Sequence, residues 1–155
     1  HVALSMGAVG QLDEKGLPFT PFFPLKDIFV ASSRFSRLKG RKITLAELSR
    51  QPLLLLEKTS STRRILDRHL AEKGIELNPE MELESVDLIV QLARQGMGVG
   101  HVLKEAAEEY LEKEELFSLQ IREKLPLRSL GVVTSGHLPL PLAAQRLWEL
   151  LQSRA

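Results

Sequence analysis

Short apolar runs alternate along this chain with stretches in which apolar residues recur at helical spacing. The runs at residues 53–56 and 97–103 are typical of buried strands. Spacing of three and four positions, which marks one face of a helix, is clearest at Val86, Ile89, Val90 and Ala93. Strands that alternate with helices predict an α/β fold, with mostly parallel sheets covered by helices on both faces and ligands beyond the carboxyl ends of the strands.

The other predicted elements follow from the same two patterns. Thr44 and Glu47 form a T-x-x-E capping box, so a short helix should begin there. Further helices should follow residues 59–62, cover residues 106–111 and begin near Pro141. Further strands are expected at residues 2–6, 19–24, 27–31, 81–84, 116–121 and 129–134.

Composition narrows the classes of protein that fit. With 155 residues, of which 43% are apolar, the chain can bury one ordinary core or two small ones. The 21 basic and 20 acidic residues give a formal charge of +1 and are scattered, so no nucleic-acid surface is indicated. The absence of cysteine excludes disulfides, thiolate metal sites and cysteine nucleophiles, and it fits the cytosol.

The apolar runs and the start of the chain bear on where the protein works. The longest runs are far shorter than the roughly 20 residues that span a bilayer, so no membrane span is expected. Residues 1–5 lack the charged start and long apolar run of a secretory signal, and the chain opens without Met. We therefore expect a fragment of a longer protein.

Four consecutive hydroxyl side chains lie between a predicted strand and a predicted helix. These are Thr59, Ser60, Ser61 and Thr62, and the helix continues with Arg63 and Arg64. Backbone N–H groups, hydroxyls and the positive end of the helix dipole would converge there and could hold a small anion. A plain helix cap needs only one of these hydroxyls, so the loop is either a cap alone or a cap with a ligand.

Ser85 stands at the exit of the strand predicted at residues 81–84. Capping of the next helix is sufficient to explain a serine at this position. If this loop and the hydroxyl loop at residues 59–62 face one cleft, Ser85 can also hydrogen-bond the same ligand.

The stretch GMGVG at residues 96–100 looks like a phosphate-binding loop. It follows a helix and leads into a strand, whereas the dinucleotide fingerprint follows a strand and opens a helix, so we reject nucleotide binding. Gly96 should instead end the helix, and Gly98 and Gly100 should allow close backbone approach. His101 either points into a cleft or packs as an ordinary histidine.

Catalytic and metal sites have characteristic spacings that this chain does not show. His1, His69, His101 and His137 form no ligand pattern such as H-E-x-x-H, and the serine-rich loop is not a G-x-S-x-G elbow. We therefore predict no enzyme activity, no catalytic residue, no metal and no cofactor.

Four stretches in fixed order stand out between residue 2 and residue 151. The stretches are ALSMG; PFFPLKDIFVASSRF with KITLAELSRQPLLLLEKTSSTRRILDRHLAEKG; ESVDLIVQLARQGMGVG; and LRSLGVVTSGHLPLPLAAQRLWELL. Together they resemble the effector-binding (substrate-binding) domain of LysR-type bacterial transcription regulators. The resemblance implies a two-lobed, periplasmic-binding-protein-like fold of type 2. Lobe I would comprise residues 1–32 and 127–155 and be incomplete, and lobe II would comprise residues 33–126.

The resemblance also implies a site, because the family binds its effector in the cleft between the lobes. The family's usual proline after the glycine strand is absent, since Val102, Leu103 and Lys104 stand there. Carried over by motif, the effector-binding residues are Ser5, Met6, Gly7, Thr59, Ser60, Ser61, Thr62, Ser85, Gly98, Val99, Gly100 and His101.

The implied function is ligand sensing in the cytoplasm. A small effector, anionic if Arg63 and Arg64 take part, would control transcription through a helix-turn-helix DNA-binding domain that is absent from this chain. The full-length regulator would be a homodimer or homotetramer. The alternative is a solute-binding protein for a small anion, which shares the architecture and is preceded by a secretory signal instead.

Overall fold

The computed structural model describes residues 2–8 and residue 134 by their backbone and residues 18–133 and 141–153 in detail. The chain divides into two compact units. Unit 1 comprises residues 1–25 and 127–155, and unit 2 comprises residues 26–126.

Ten strands, five α-helices and one 3-10 helix are present in the described residues. The 3-10 helix is Ser33–Leu38. The strands are β1 Val2–Ala8, β2 Phe19–Leu25, β3 Asp27–Ala31, β4 Lys42–Ile43, β5 Leu53–Leu56, β6 Met81–Leu83, β7 Val99–Leu103, β8 Phe117–Ser118, β9 Gln120–Ile121 and β10 Arg128–Thr134. The helices are α1 Leu45–Leu48, α2 Ser61–Ala71, α3 Val86–Arg94, α4 Lys104–Glu112 and α5 Leu142–Gln152.

Unit 1 is built on a three-stranded antiparallel sheet in the order β1-β10-β2. The register between β10 and β2 shifts at Gly131, where a Cβ would lie 2.3 Å from the carbonyl oxygen of Thr20. Only glycine permits this backbone approach. In α5, the ring of Trp148 packs edge-on against Phe22 of β2 with 5.6 Å between centroids.

Unit 2 contains a five-stranded sheet in the order β6-β5-β7-β3-β8, with helices on both faces. Strands β5, β6 and β7 are parallel, and β3 is antiparallel to both of its neighbours. Successive leucines of β5 point to opposite faces: Leu53 and Leu55 pack with α2, and Leu54 and Leu56 pack with α3. Each buried leucine stabilises the sheet by about 2 kcal/mol, which is why this strand is apolar throughout.

Several predicted elements are confirmed, some with the expected bounds and others a few residues longer or shorter. Thr44 Oγ1 accepts a hydrogen bond from Glu47 N (3.1 Å) and caps α1, while the Glu47 carboxylate pairs with Arg41 instead of completing the capping box. The strand predicted at residues 116–121 is two short strands, β8 and β9. Gly96 has a φ of 75° and ends α3, as expected.

The exposed side of α4 carries an ion pair. Lys113 Nζ bonds the Glu109 carboxylate (2.5 Å). The hydrogen bond and charge of Lys113 hold the pKa of Glu109 below its usual value. No helix among the described residues is long and apolar enough to cross a membrane.

Candidate functional site

The hydroxyl loop and Ser85 leave the sheet of unit 2 at the same edge. Strands β5 and β6 are parallel and in register, with Leu56 opposite Leu83. Glu57 N then donates to the carbonyl oxygen of Leu83 (3.1 Å), which keeps the two exits side by side. The sheet therefore brings together two groups of predicted site residues that stand more than twenty positions apart in sequence.

Each hydroxyl of the loop has a different environment. Thr59 is exposed, Ser60 and Ser61 are half-buried, and Thr62 is buried. Ser60 is the N-cap residue of α2, yet its side chain makes no capping hydrogen bond in the described part of the chain. A plain cap would use this hydroxyl, so capping does not explain the serine at this position. The Ser60 hydroxyl is therefore a candidate hydrogen-bonding group for a ligand at the start of α2.

Arg63 is a buried clamp behind the loop. Its side chain is 1% exposed, its Nε lies 2.9 Å from both Asp67 carboxylate oxygens, and its Nη1 lies 2.9 Å from the Leu56 carbonyl oxygen and 3.1 Å from Glu82 Oε2. Arg63 thus ties the end of β5, the middle of β6 and the first turns of α2 together. Its charge is committed to two carboxylates, so it supports the loop and does not provide a free cation for an effector.

Arg64 also acts on the loop, since its Nη1 donates to the carbonyl oxygen of Thr59. This bond holds the first hydroxyl residue against the helix start. The attraction of the loop for an anion accordingly comes from N–H groups, hydroxyls and the helix dipole, with Arg64 beside them.

Ser85 caps α3, because its Oγ accepts a hydrogen bond from Leu88 N (3.2 Å). A serine hydroxyl has one donor and two acceptor sites, so a capping serine can still donate to a ligand. Ser85 is exposed at the sheet edge. The capping interpretation is confirmed, and the ligand interpretation is compatible with it.

The glycine strand lies within the packed sheet of unit 2. A Cβ on Gly98 would lie 2.4 Å from the carbonyl oxygen of Pro52, and one on Gly100 would lie 2.6 Å from Ile89 Cγ2. Val99 is fully buried in the core. The expected close approach at both glycines is confirmed, and their contact with an effector stays a prediction.

His101 is 2% exposed and packs its ring on Phe29, with 4.8 Å between ring centroids. Its Nε2 lies 4.0 Å from Oδ2 of Asp27, which is also buried. This is the packed environment that was one of the two interpretations of His101. The sequence analysis missed Asp27, although a carboxylate inside the apolar run DIFVA was a signal for a buried polar pair.

Ser5, Met6 and Gly7 belong to β1 in unit 1. They are paired with Gly131, Leu130 and Ser129 of β10 in that order. Ser129, which the sequence analysis did not single out, is buried, and its Oγ has no hydrogen-bond partner among the described residues. Because directly opposed residues of antiparallel strands share a face, the unsatisfied hydroxyl lies on the face that Gly7 leaves without a side chain.

In the described residues, no group of three or more His, Cys, Asp or Glu is arranged to hold a metal ion. The chemistry of the loop and of Ser85 is that of hydrogen-bond donors and a helix N-terminus. Such groups can form hydrogen bonds with a small polar molecule.

Known proteins share this architecture. The regulatory domain of CcmR from Synechocystis PCC6803, in complex with 2-PG, superimposes with a TM-score of 0.80 at 20% identity and covers 98% of this chain and 72% of that chain. The effector binding domain of QuiR, in complex with shikimate, gives 0.77 at 18% identity, over 96% of this chain and 69% of that chain. The likeness confirms the predicted type 2 periplasmic-binding-protein-like fold.

Comparison of sequences leads to the same class of protein as the fold. The probable RuBisCO transcriptional regulator of Cyanophora paradoxa is 26% identical over 137 residues, which cover 86% of this chain and 42% of the relative. The chain spans less than half the length of the curated relatives it matches. The family described as LysR substrate binding domain matches residues 1–155. The chain therefore belongs to the LysR substrate-binding domain family.

Proposed function

We propose that this chain is the ligand-sensing part of a LysR-type transcription regulator and that it binds a small anionic effector. The observation that carries this proposal is the N-cap hydroxyl of Ser60, which makes no capping bond although it stands at the start of an 11-residue helix. Together with Ser85 on the neighbouring exit, it forms a polar edge suited to a carboxylate or phosphate.

The structural neighbours support an effector of this kind. Shikimate, the molecule bound by the QuiR domain, carries a carboxylate and several hydroxyls. Hydroxyl side chains and helix N–H groups are suitable partners for both. Ser5, Met6 and Gly7 of unit 1 and the glycine strand and His101 of unit 2 are further proposed effector contacts.

Regulation is favoured over solute transport because five of the six curated relatives are transcriptional regulators, whereas one is a phosphonate import protein. In the full-length protein, a separate helix-turn-helix domain would bind DNA, and the regulator would work in the cytoplasm as a homodimer or homotetramer. Effector binding shifts the population of two arrangements and needs no chemical step, so the chain would act without being an enzyme.

The test is calorimetric titration of the 155-residue chain with 2-PG, shikimate and related small carboxylates and phosphates. At least one should bind saturably, and the double variant Thr59→Ala with Ser85→Ala should weaken it about tenfold or more. Ser118→Ala, an exposed serine on β8, is the matched control and should leave the affinity unchanged. Unchanged affinity in the double variant would show that the hydroxyl groups of Thr59 and Ser85 do not bind the effector.

A further inference from the structure

An open pocket of about 340 Å³ lies along α2 in unit 2. Arg63, Asp67 and Ala71 are spaced four residues apart on the helix and form one wall. Lys58, which precedes the helix, and the segment 74–77, which follows it, form the rest. A volume of this size lies at the small end of the range for ligand sites.

The charges around the pocket are balanced but only partly paired. Arg63 and Asp67 neutralise each other. Lys58 and Glu76 are exposed, and neither takes part in an ion pair with any side chain that the structure describes. One unpaired ammonium group and one unpaired carboxylate therefore line the same pocket without contacting each other.

Two apolar side chains also line the pocket. Leu77 is 6% exposed and belongs to the core that α2 covers, and Ile75 packs beside it. Ile75 is fixed by a hydrogen bond from its N–H to the carbonyl oxygen of Leu70 (3.0 Å). Ala71 contributes only a methyl group to the wall of the pocket.

We infer that this pocket is a second ligand site and that it takes a small zwitterion with an apolar portion. The ligand's carboxylate would face Lys58, its ammonium group would face Glu76, and its apolar portion would cover Ile75 and Leu77. A simple anion would be repelled by Glu76, and a simple cation by Lys58. The site uses none of the hydroxyls of the proposed effector site.

The pocket and the hydroxyl loop nevertheless share a support. Arg63 lines the pocket and also binds the Leu56 carbonyl oxygen where the loop begins. Lys58 directly precedes that loop. A zwitterion in the pocket thus contacts the residues that fix the loop.

The test uses two probes that differ in the spacing of their charges, L-leucine and 6-aminohexanoate, in an amide-resonance titration of the 155-residue chain. At least one should shift resonances of Lys58 and residues 74–77 saturably, with a dissociation constant on the order of 1 mM, because exposed ion pairs are weak. The singly charged derivatives N-acetylleucine and leucine amide should bind at least about fivefold more weakly than leucine if leucine is the ligand.

Substitutions in and beside the pocket test whether the probes bind there. Ala71→Phe fills the pocket from an exposed helix position and should abolish the shifts, whereas Glu72→Phe, one residue further along, should not. Lys58→Gln and Glu76→Gln should each weaken binding about fivefold. Absence of saturable shifts with both probes, or equal shifts in Ala71→Phe, would overturn the inference. The variant Thr59→Ala with Ser85→Ala should bind the zwitterion normally, which separates this site from the effector site.

Discussion

Arg63 of α2 reaches Glu82 of β6, with 3.1 Å between Nη1 and Oε2. The pair joins α2 to β6, which is an edge strand of the sheet. The Arg63 side chain is only 1% exposed. This contact ties the first turn of α2, where the hydroxyl loop ends, to β6.

Arg63→Met should lower the free energy of unfolding by about 2 to 3 kcal/mol, because the change removes hydrogen bonds from two carboxylates and a carbonyl. Urea unfolding measures the effect. Arg50→Met, an exposed arginine after α1, should change stability by less than about 0.5 kcal/mol. Equal effects of the two changes would show that Arg63 does not act as a clamp.

Ser60 and Ser85 are both N-cap residues, but only Ser85 makes a capping bond. Ser85→Ala should therefore destabilise the chain by about 1 kcal/mol, and Ser60→Ala by a few tenths. Effector affinity should show a different order, because Ser60→Ala removes a group whose proposed partner is the ligand. Thermal unfolding and calorimetry on the same samples measure both quantities; an equal loss of stability in the two variants would contradict the assignment.

Gly100→Ala should destabilise unit 2 by about 1 to 3 kcal/mol through overpacking, since the new Cβ would lie 2.6 Å from Ile89 Cγ2. A double-mutant cycle with Ile89→Ala provides the control. The loss in the double variant should be smaller than the sum of the two single losses, because the second change removes the clashing methyl group. Additive losses would mean that the strand shifts instead.

Ser129→Ala should leave stability unchanged or raise it by up to about 1 kcal/mol, because it deletes a buried hydroxyl that has no partner among the described residues. If Ser129 extends the proposed effector site in unit 1, the same change should weaken effector binding. Ser118→Ala serves as the exposed control in both measurements. A loss of more than about 1 kcal/mol would show that the hydroxyl is bonded in the folded protein.

The spacing of apolar residues predicted the strands and helices of unit 2 well, because their apolar positions are the ones that become buried in the cores. The four leucines of β5 face two cores at once, and the apolar positions of α3 match the side chains that it buries. The strand predicted at residues 116–121 is split because β8 belongs to the five-stranded sheet and β9 pairs with β4. Tertiary structure sets the pairing partner of a strand, so the sequence pattern could not predict this split.

Only part of the candidate site could be predicted from the sequence. The hydroxyl loop and Ser85 stood out by residue type and by their position after strands. The role of Arg63 did not, because an arginine in the first turn of a helix is usually exposed and its partners Asp67 and Glu82 are defined only by the fold. The adjacency of the two loops likewise depends on β5 and β6 being neighbours, which no local pattern specifies.

The edges of the five-stranded sheet are very short. β6 has three residues and β8 has two, whereas β3 and β7 in the interior have five each. Unsatisfied N–H and C=O groups on a long exposed strand invite pairing with another chain, and short edges offer few such groups. Glu82, a charged residue on β6, further discourages such strand pairing. The sheet of unit 2 accordingly offers few unpaired backbone groups through which another chain could add a strand.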